Sequence, residues 1–148
     1  YATFSAVVDY FDWLGGHFTS SMDRRQRIEA AAVAIRQQEK DLTDAMLYGI
    51  GGQDGVAAMS KVTVIGGIEN PLREGLVSLT VEDQTAVDVV SALREKGIRV
   101  HARKNDHFSG NILNPLNVDD CVRVSLCHYN TEEEVARFLE AMHAIVGN

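Results

Sequence analysis

The chain is poor in cysteine. Its 148 residues hold only Cys121 and Cys127, too few for a disulfide framework. On one extended strand six residues separate them by roughly 20 Å, whereas bridged Cα atoms approach within about 7 Å. They also lack close-spaced zinc partners, so they read as buried reduced thiols with no metal site. Basic side chains are scarce as well: 14 Lys and Arg against 21 Asp and Glu, a net charge of -7. That balance argues against nucleic acid, which needs clustered cations on its phosphates. No apolar run approaches the ~20 residues that span a bilayer, so no membrane role is expected. The start, "YATFSAVVDYFDWLGG", lacks the basic region and cleavage pattern of a signal peptide, and a cytoplasmic protein is the expectation. The first residue is Tyr1, not Met, which implies sequence removed upstream.

What is present suits one ordinary domain with a full core: 45% hydrophobic and 24% charged residues. Phe4, Val7, Val8, Phe11 and Leu14 recur at helical spacing over residues 3–14, and Gly15 and Gly16 stop that helix. Tyr10 and Trp13 widen its apolar face, so it wants something large to lie against. A longer helix is predicted over 23–47, with Ser21 or Asp23 as its cap and Ile28, Ala31, Ile35, Leu42 and Met46 as its stripe.

"GIGGQDG", residues 49–55, has the glycine content of a phosphate-cradling loop but not its spacing. The last glycine of G-x-G-x-x-G falls on Asp54, and no Gly-Lys-Ser/Thr follows. The loop also follows a helix, whereas nucleotide fingerprints follow a strand. It reads as a helix C-cap and a flexible turn.

Beyond it the period changes to two. Residues 61–67 and 75–81 read as neighbouring strands, separated by the turn signal "ENPLRE". A helix over 84–96 follows, with Ala86, Val87, Val90 and Leu93 inward, and then a short strand "IRVHA". A polar loop or broken helix is predicted over 103–120, then the strand "CVRVSLC" and a helix with Val135, Phe138, Leu139, Met142 and Ile145 inward. The fold class is α+β: a small antiparallel or mixed sheet with helices packed on it.

In the last strand, alternation puts Val122, Val124 and Leu126 on one face and Cys121, Arg123, Ser125 and Cys127 on the other. Arg123 must meet an acid. It either pairs with a carboxylate of the protein or presents its fork to a ligand carboxylate or phosphate. Thr131 and Glu134 form a capping box, and Glu132 and Glu133 suit the first turn of the helix. His128, in the intervening turn, reads as a hydrogen-bonded structural residue.

"RVSLCHYNTEEEVARFLEAM" strongly resembles the C-terminal end of class V aminotransferases, a pyridoxal phosphate-dependent group that includes cysteine desulfurases and has the aspartate aminotransferase type of fold. Position 123 and positions 129–133 match the family pattern residue by residue. "SAVVDYFDWLGG" looks like the helix leaving the large cofactor-binding domain, and "RRQRIEAAAVAIRQQEKDL" like the helix entering the small one. The resemblance thus implies that residues 1–20 belong to a missing large domain and residues 21–148 to the small C-terminal domain. It implies a homodimer acting on an amino acid, whose α-carboxylate the arginine at position 123 binds.

The cofactor lysine of the family lies upstream of everything here, and neither Lys61 nor Lys96 sits in a matching context. No cofactor-binding residue is therefore expected in this chain, which alone should be inactive. The mobile-loop cysteine of typical desulfurases is also missing. Its Arg-x-Gly stretch falls on Arg103, Lys104 and Asn105, and the cysteine position on Phe108. Arg103 and the loop residue His107 are further candidates for the substrate pocket, His107 equally well a solvent-exposed loop residue. A free-standing, non-enzymatic α+β module that binds a small acid or self-associates is the competing reading.

Overall fold

A computed structural model of the chain describes residues 2–147, Ala2 by its backbone alone. The elements run α1 (Ala2–Gly15), α2 (Arg24–Tyr48), β1 (Gly49–Ile50), β2 (Gln53–Asp54), β3 (Val62–Val64) and β4 (Leu76–Val81), then α3 (Ala86–Glu95), β5 (His101–Lys104), α4 (Gly110–Leu113), β6 (Asp120–Ser125) and α5 (Glu132–Val146). The class is α+β, as the sequence pattern requires. Strands β3, β4, β6 and β5 lie side by side in that order, every pair antiparallel.

The register sorts the sheet residues by face. Val77 stands opposite Val124, Leu79 opposite Val122, Val81 opposite Val62 and Ala102 opposite Val122. These side chains share one face, and α3, α5 and the C-terminal half of α2 cover it to form the core. Leu93, Leu139 and Met142 contribute fully buried side chains from the helices. The opposite face carries Thr63, Leu76, Ser78, Thr80, His101, Arg103, Cys121, Arg123 and Ser125. No helix among the described residues is long and apolar enough to cross a membrane.

Helix α2 starts where Asp23 accepts the Gln26 N–H at 2.9 Å, so Asp23 is the cap. Only its second half reaches the core. Leu42, Thr43, Met46 and Leu47 are buried there, whereas Ile28 and Ile35 of the expected stripe are half-buried. The first half holds α1 instead. Gly15 lies against the Arg27 backbone; Arg24 pairs with Asp9, and Asp12 lies 3.8 Å from Arg24 and 3.9 Å from Arg27. The outer side of α1 stays bare, with Phe4 at 79%, Trp13 at 61% and Val7 at 46% exposure.

The glycine-rich loop caps α2, as expected, but it is also a hairpin. Gly49 at φ 109° closes the helix by donating to Ala45 O. Gly51 and Gly52, at φ 62° and 84°, then form the two-residue turn between β1 and β2. Positive φ at both central positions is what a type I′ turn needs.

Two sequence expectations shift. In α3 the buried valine is Val89, while Val87 is 60% exposed. The valines of "AVDVV" fit two overlapping stripes, and the position of the helix axis over the sheet selects between them. The strand expected at "IRVHA" pairs at His101–Lys104 instead. Ile98 and Val100 pack on the core without joining the ladder.

The capping box of α5 is complete. Thr131 Oγ1 accepts the Glu134 N–H at 3.3 Å, and Glu134 Oε2 accepts the Thr131 N–H at 3.1 Å. The Asn130 amide, donating to Glu134 at 2.9 Å, and the Thr131 N–H hold the Glu134 carboxyl below its ordinary range. A depressed folded pKa stabilises above the unfolded value of about 4.3 and is lost as pH falls through the folded one. Amide protection in the first turn of α5 is therefore expected to drop selectively as pH falls below about 4. Thr131→Ala should cost about 1 kcal/mol in chemical denaturation. Unchanged stability in that variant would remove the capping role.

Candidate functional site

Strand β6 carries Arg123 in the middle of the sheet, half-buried on the face opposite the main core. His101 of β5 stands opposite it on one side and Ser78 of β4 on the other. Neither neighbour is acidic. No carboxylate of the described residues forms an ion pair with Arg123. Its Nε is shut off from solvent with no hydrogen-bond partner, a condition that costs on the order of 1–3 kcal/mol or more for a charged group. Of the two readings the sequence left open, the internal ion pair finds no partner among these residues.

Arg103 lies two residues beyond His101 on the same face, opposite Cys121. His107 follows in the loop after β5, exposed and ring to ring with Phe108 at 3.8 Å. That loop is shaped by Asp106, whose Oδ1 accepts the N–H groups of Phe108 at 2.9 Å and Ser109 at 3.0 Å. Those two bonds hold its carboxyl below the ordinary range. The strand pairing brings Arg123, Arg103 and His101 to one sheet face and leaves His107 in the loop. Sequence reasoning missed His101 and Ser78 as neighbours of Arg123, because their proximity is set by strand register across long separations in the chain.

The thiols stand apart from this arrangement. Cys121 is buried at 4% exposure, and burial pushes its thiol up, which disfavours the nucleophilic thiolate. Cys127 is half-buried, and both are free. Phe108, 77% exposed, stands at the loop position matched to the desulfurase cysteine. His128 is a tether, as its place in the turn suggested: its Nε2 meets Tyr10 Oη at 2.7 Å and ties α1 to the β6–α5 turn. No metal-binding cluster occurs among the described residues. Two concavities, of about 280 and 850 Å³, are lined by none of Arg123, Arg103 and His101. The candidate site is a sheet face.

A sequence model described as Aminotransferase class-V matches residues 23–138. The chain belongs to the class V aminotransferase family. A probable cysteine desulfurase of Pseudomonas putida is 30% identical over 123 residues, 83% of this chain and 27% of that protein. A cysteine desulfurase of Haloferax volcanii is 29% identical over 95% of this chain and 27% of its own length. The apo cysteine desulfurase of Thermococcus onnurineus superposes with a TM-score of 0.71 at 25% identity, covering 84% of this chain and 29% of that one. The chain thus spans about a quarter of these class V relatives.

A pyridoxal phosphate site needs a lysine that can form the Schiff base, held in a pocket that lowers its pKa. Lys40, Lys61, Lys96 and Lys104 are all exposed, and Lys40 is paired with Asp44. The described residues do not fit the cofactor.

Proposed function

We propose that residues 21–148 are the small domain, and residues 1–20 a helix of the large domain, of a longer pyridoxal phosphate-dependent class V enzyme acting on an amino acid, and that Arg123 holds the substrate's α-carboxylate. The observation that carries this reading is the Arg123 guanidinium, fixed in the middle of a sheet, with its Nε shielded from water and no acid among the described residues to meet it. The cofactor, its lysine and the bond-breaking step belong to the remainder of that longer protein, and so does the surface that covers the bare side of α1.

The part of this chain is to bind and orient. A planar fork accepts a carboxylate through two parallel N–H···O bonds, which fixes the direction of the substrate as well as its position. The antiparallel neighbours β4 and β5 keep the Arg123 backbone in place. Covering the face by another domain would exclude water and strengthen the contact. Arg103 and His107 are the further residues assigned to the pocket.

The test is made on the longer, cofactor-bearing protein. Adding an amino-acid substrate should change its visible absorbance, and Arg123→Ala should raise the substrate concentration needed by about a hundredfold, the scale of truncating one partner of a desolvated charge pair. The cofactor absorbance without substrate should stay as it was. Unchanged substrate affinity in the variant would remove the role given to Arg123.

A further inference from the structure

Arg123 does not carry the only positive charge on its face. His101 stands directly opposite it, and Arg103, opposite Cys121, is its diagonal neighbour. Such partners are about 4.5–5.5 Å apart when opposite and about 7–8 Å when diagonal. Strand alternation and this register put Arg103 and Arg123 on the same face of the sheet.

In a chain with 21 acidic residues against 14 basic ones, an acid beside these groups would be the ordinary arrangement. None of Thr63, Leu76, Ser78, Thr80, Cys121 and Ser125, which complete the face, is acidic. Asp120, the acid nearest in sequence to Cys121, accepts the Ala86 N–H at 3.1 Å and is committed to the start of α3 on the other side. Neither Arg103, Arg123 nor His101 makes an ion pair among the described residues. Like charges facing each other across a ladder destabilise it. Arg103 and Arg123 are like charges at diagonal positions of the ladder, and no acid of the described residues pairs with either.

One α-carboxylate neutralises one of these charges. We propose that the substrate is an amino dicarboxylic acid, whose second carboxylate is held by Arg103 with His101 beside it. This rests on the assignment of Arg123 to the α-carboxylate, and it narrows the substrate from amino acids in general to those with an acidic side chain. The span from the Arg123 position to its opposite and diagonal neighbours suits the separation of two carboxylates on a short aliphatic chain.

The 148-residue chain can be titrated at low salt with glutarate and, separately, with butyrate, following the amide resonances of β5 and β6. Glutarate is expected to bind about tenfold more tightly, the scale of one added charge-assisted contact. Arg103→Gln should bring glutarate down to the affinity of butyrate, and Arg123→Gln should weaken both acids. Relief of repulsion should also raise the thermal midpoint of Arg103→Gln by roughly 1–4 °C, which shows in the same experiment that the variant is folded. Equal affinity for the two acids, with Arg123→Gln still weakening both, overturns the second carboxylate and leaves the Arg123 assignment standing. Binding indifferent to Arg123→Gln overturns that assignment itself.

Discussion

Gly15→Ala is expected to release α1 from α2 while the rest of the domain stays folded. A Cβ at position 15 would lie 1.8 Å from the Arg27 carbonyl oxygen and 2.4 Å from its carbon. That is roughly 1.5 Å short of the closest ordinary carbon–oxygen approach, near 3.3 Å. Both obstacles are backbone, so no side chain can swing aside, and one helix must move. Overpacking of this kind costs typically about 1–3 kcal/mol. Apart from the Tyr10–His128 hydrogen bond, little opposes the movement. The Arg24 and Arg27 pairs with Asp9 and Asp12 are solvent-accessible and worth about 0–1 kcal/mol each. No described α1 side chain belongs to the core cluster. Amide exchange along α1 should accelerate by about ten- to a hundredfold, with protection in α5 and β4 unchanged. Retained protection in α1 would show that the close approach at Gly15 is not what holds the two helices together.

Leu139→Ala should instead weaken the core that holds the sheet and its helices. Leu139 is fully buried, in the same cluster as Met142, Leu93, Leu79 and Val122. Removing a buried leucine side chain costs about 2–5 kcal/mol, the higher values where surrounding groups cannot collapse into the space. Here two of those neighbours are fixed on sheet strands, which limits collapse. Against a total of about 5–15 kcal/mol, the loss is a large share of the stability of the domain. Denaturant unfolding should show a lower midpoint with unchanged slope. A loss under about 1 kcal/mol would mean that the contact between α5 and the sheet is looser than this packing requires.

These two positions also show what was legible in the sequence. Leu139 could be found by counting, because its stripe repeats at helical spacing behind an unambiguous capping box. The α+β class, the order of the helices and the two faces of β6 followed from similar local patterns. The importance of Gly15 was only half visible: the residue ends α1, but its contact with Arg27 depends on how two helices meet. The same division holds at the candidate site. Arg123 stood out because an arginine interrupts an apolar strand and because its surroundings resemble a family motif. His101 did not: the expected strand "IRVHA" contains it, but its place opposite Arg123 follows only from the ladder that forms at "HARK". Pairing between strands separated by a loop and a short helix is decided by tertiary packing, which single-strand periodicity does not encode.

The single tryptophan lies outside the hydrophobic core. Trp13 sits on α1, 61% exposed and edge-on to His17 at 4.8 Å. Its emission therefore reports whether α1 is docked and is nearly blind to the melting of the sheet. Fluorescence and far-ultraviolet dichroism should give different midpoints for the same sample. That gap measures how independent the first helix is, and it does not signify a partly folded core.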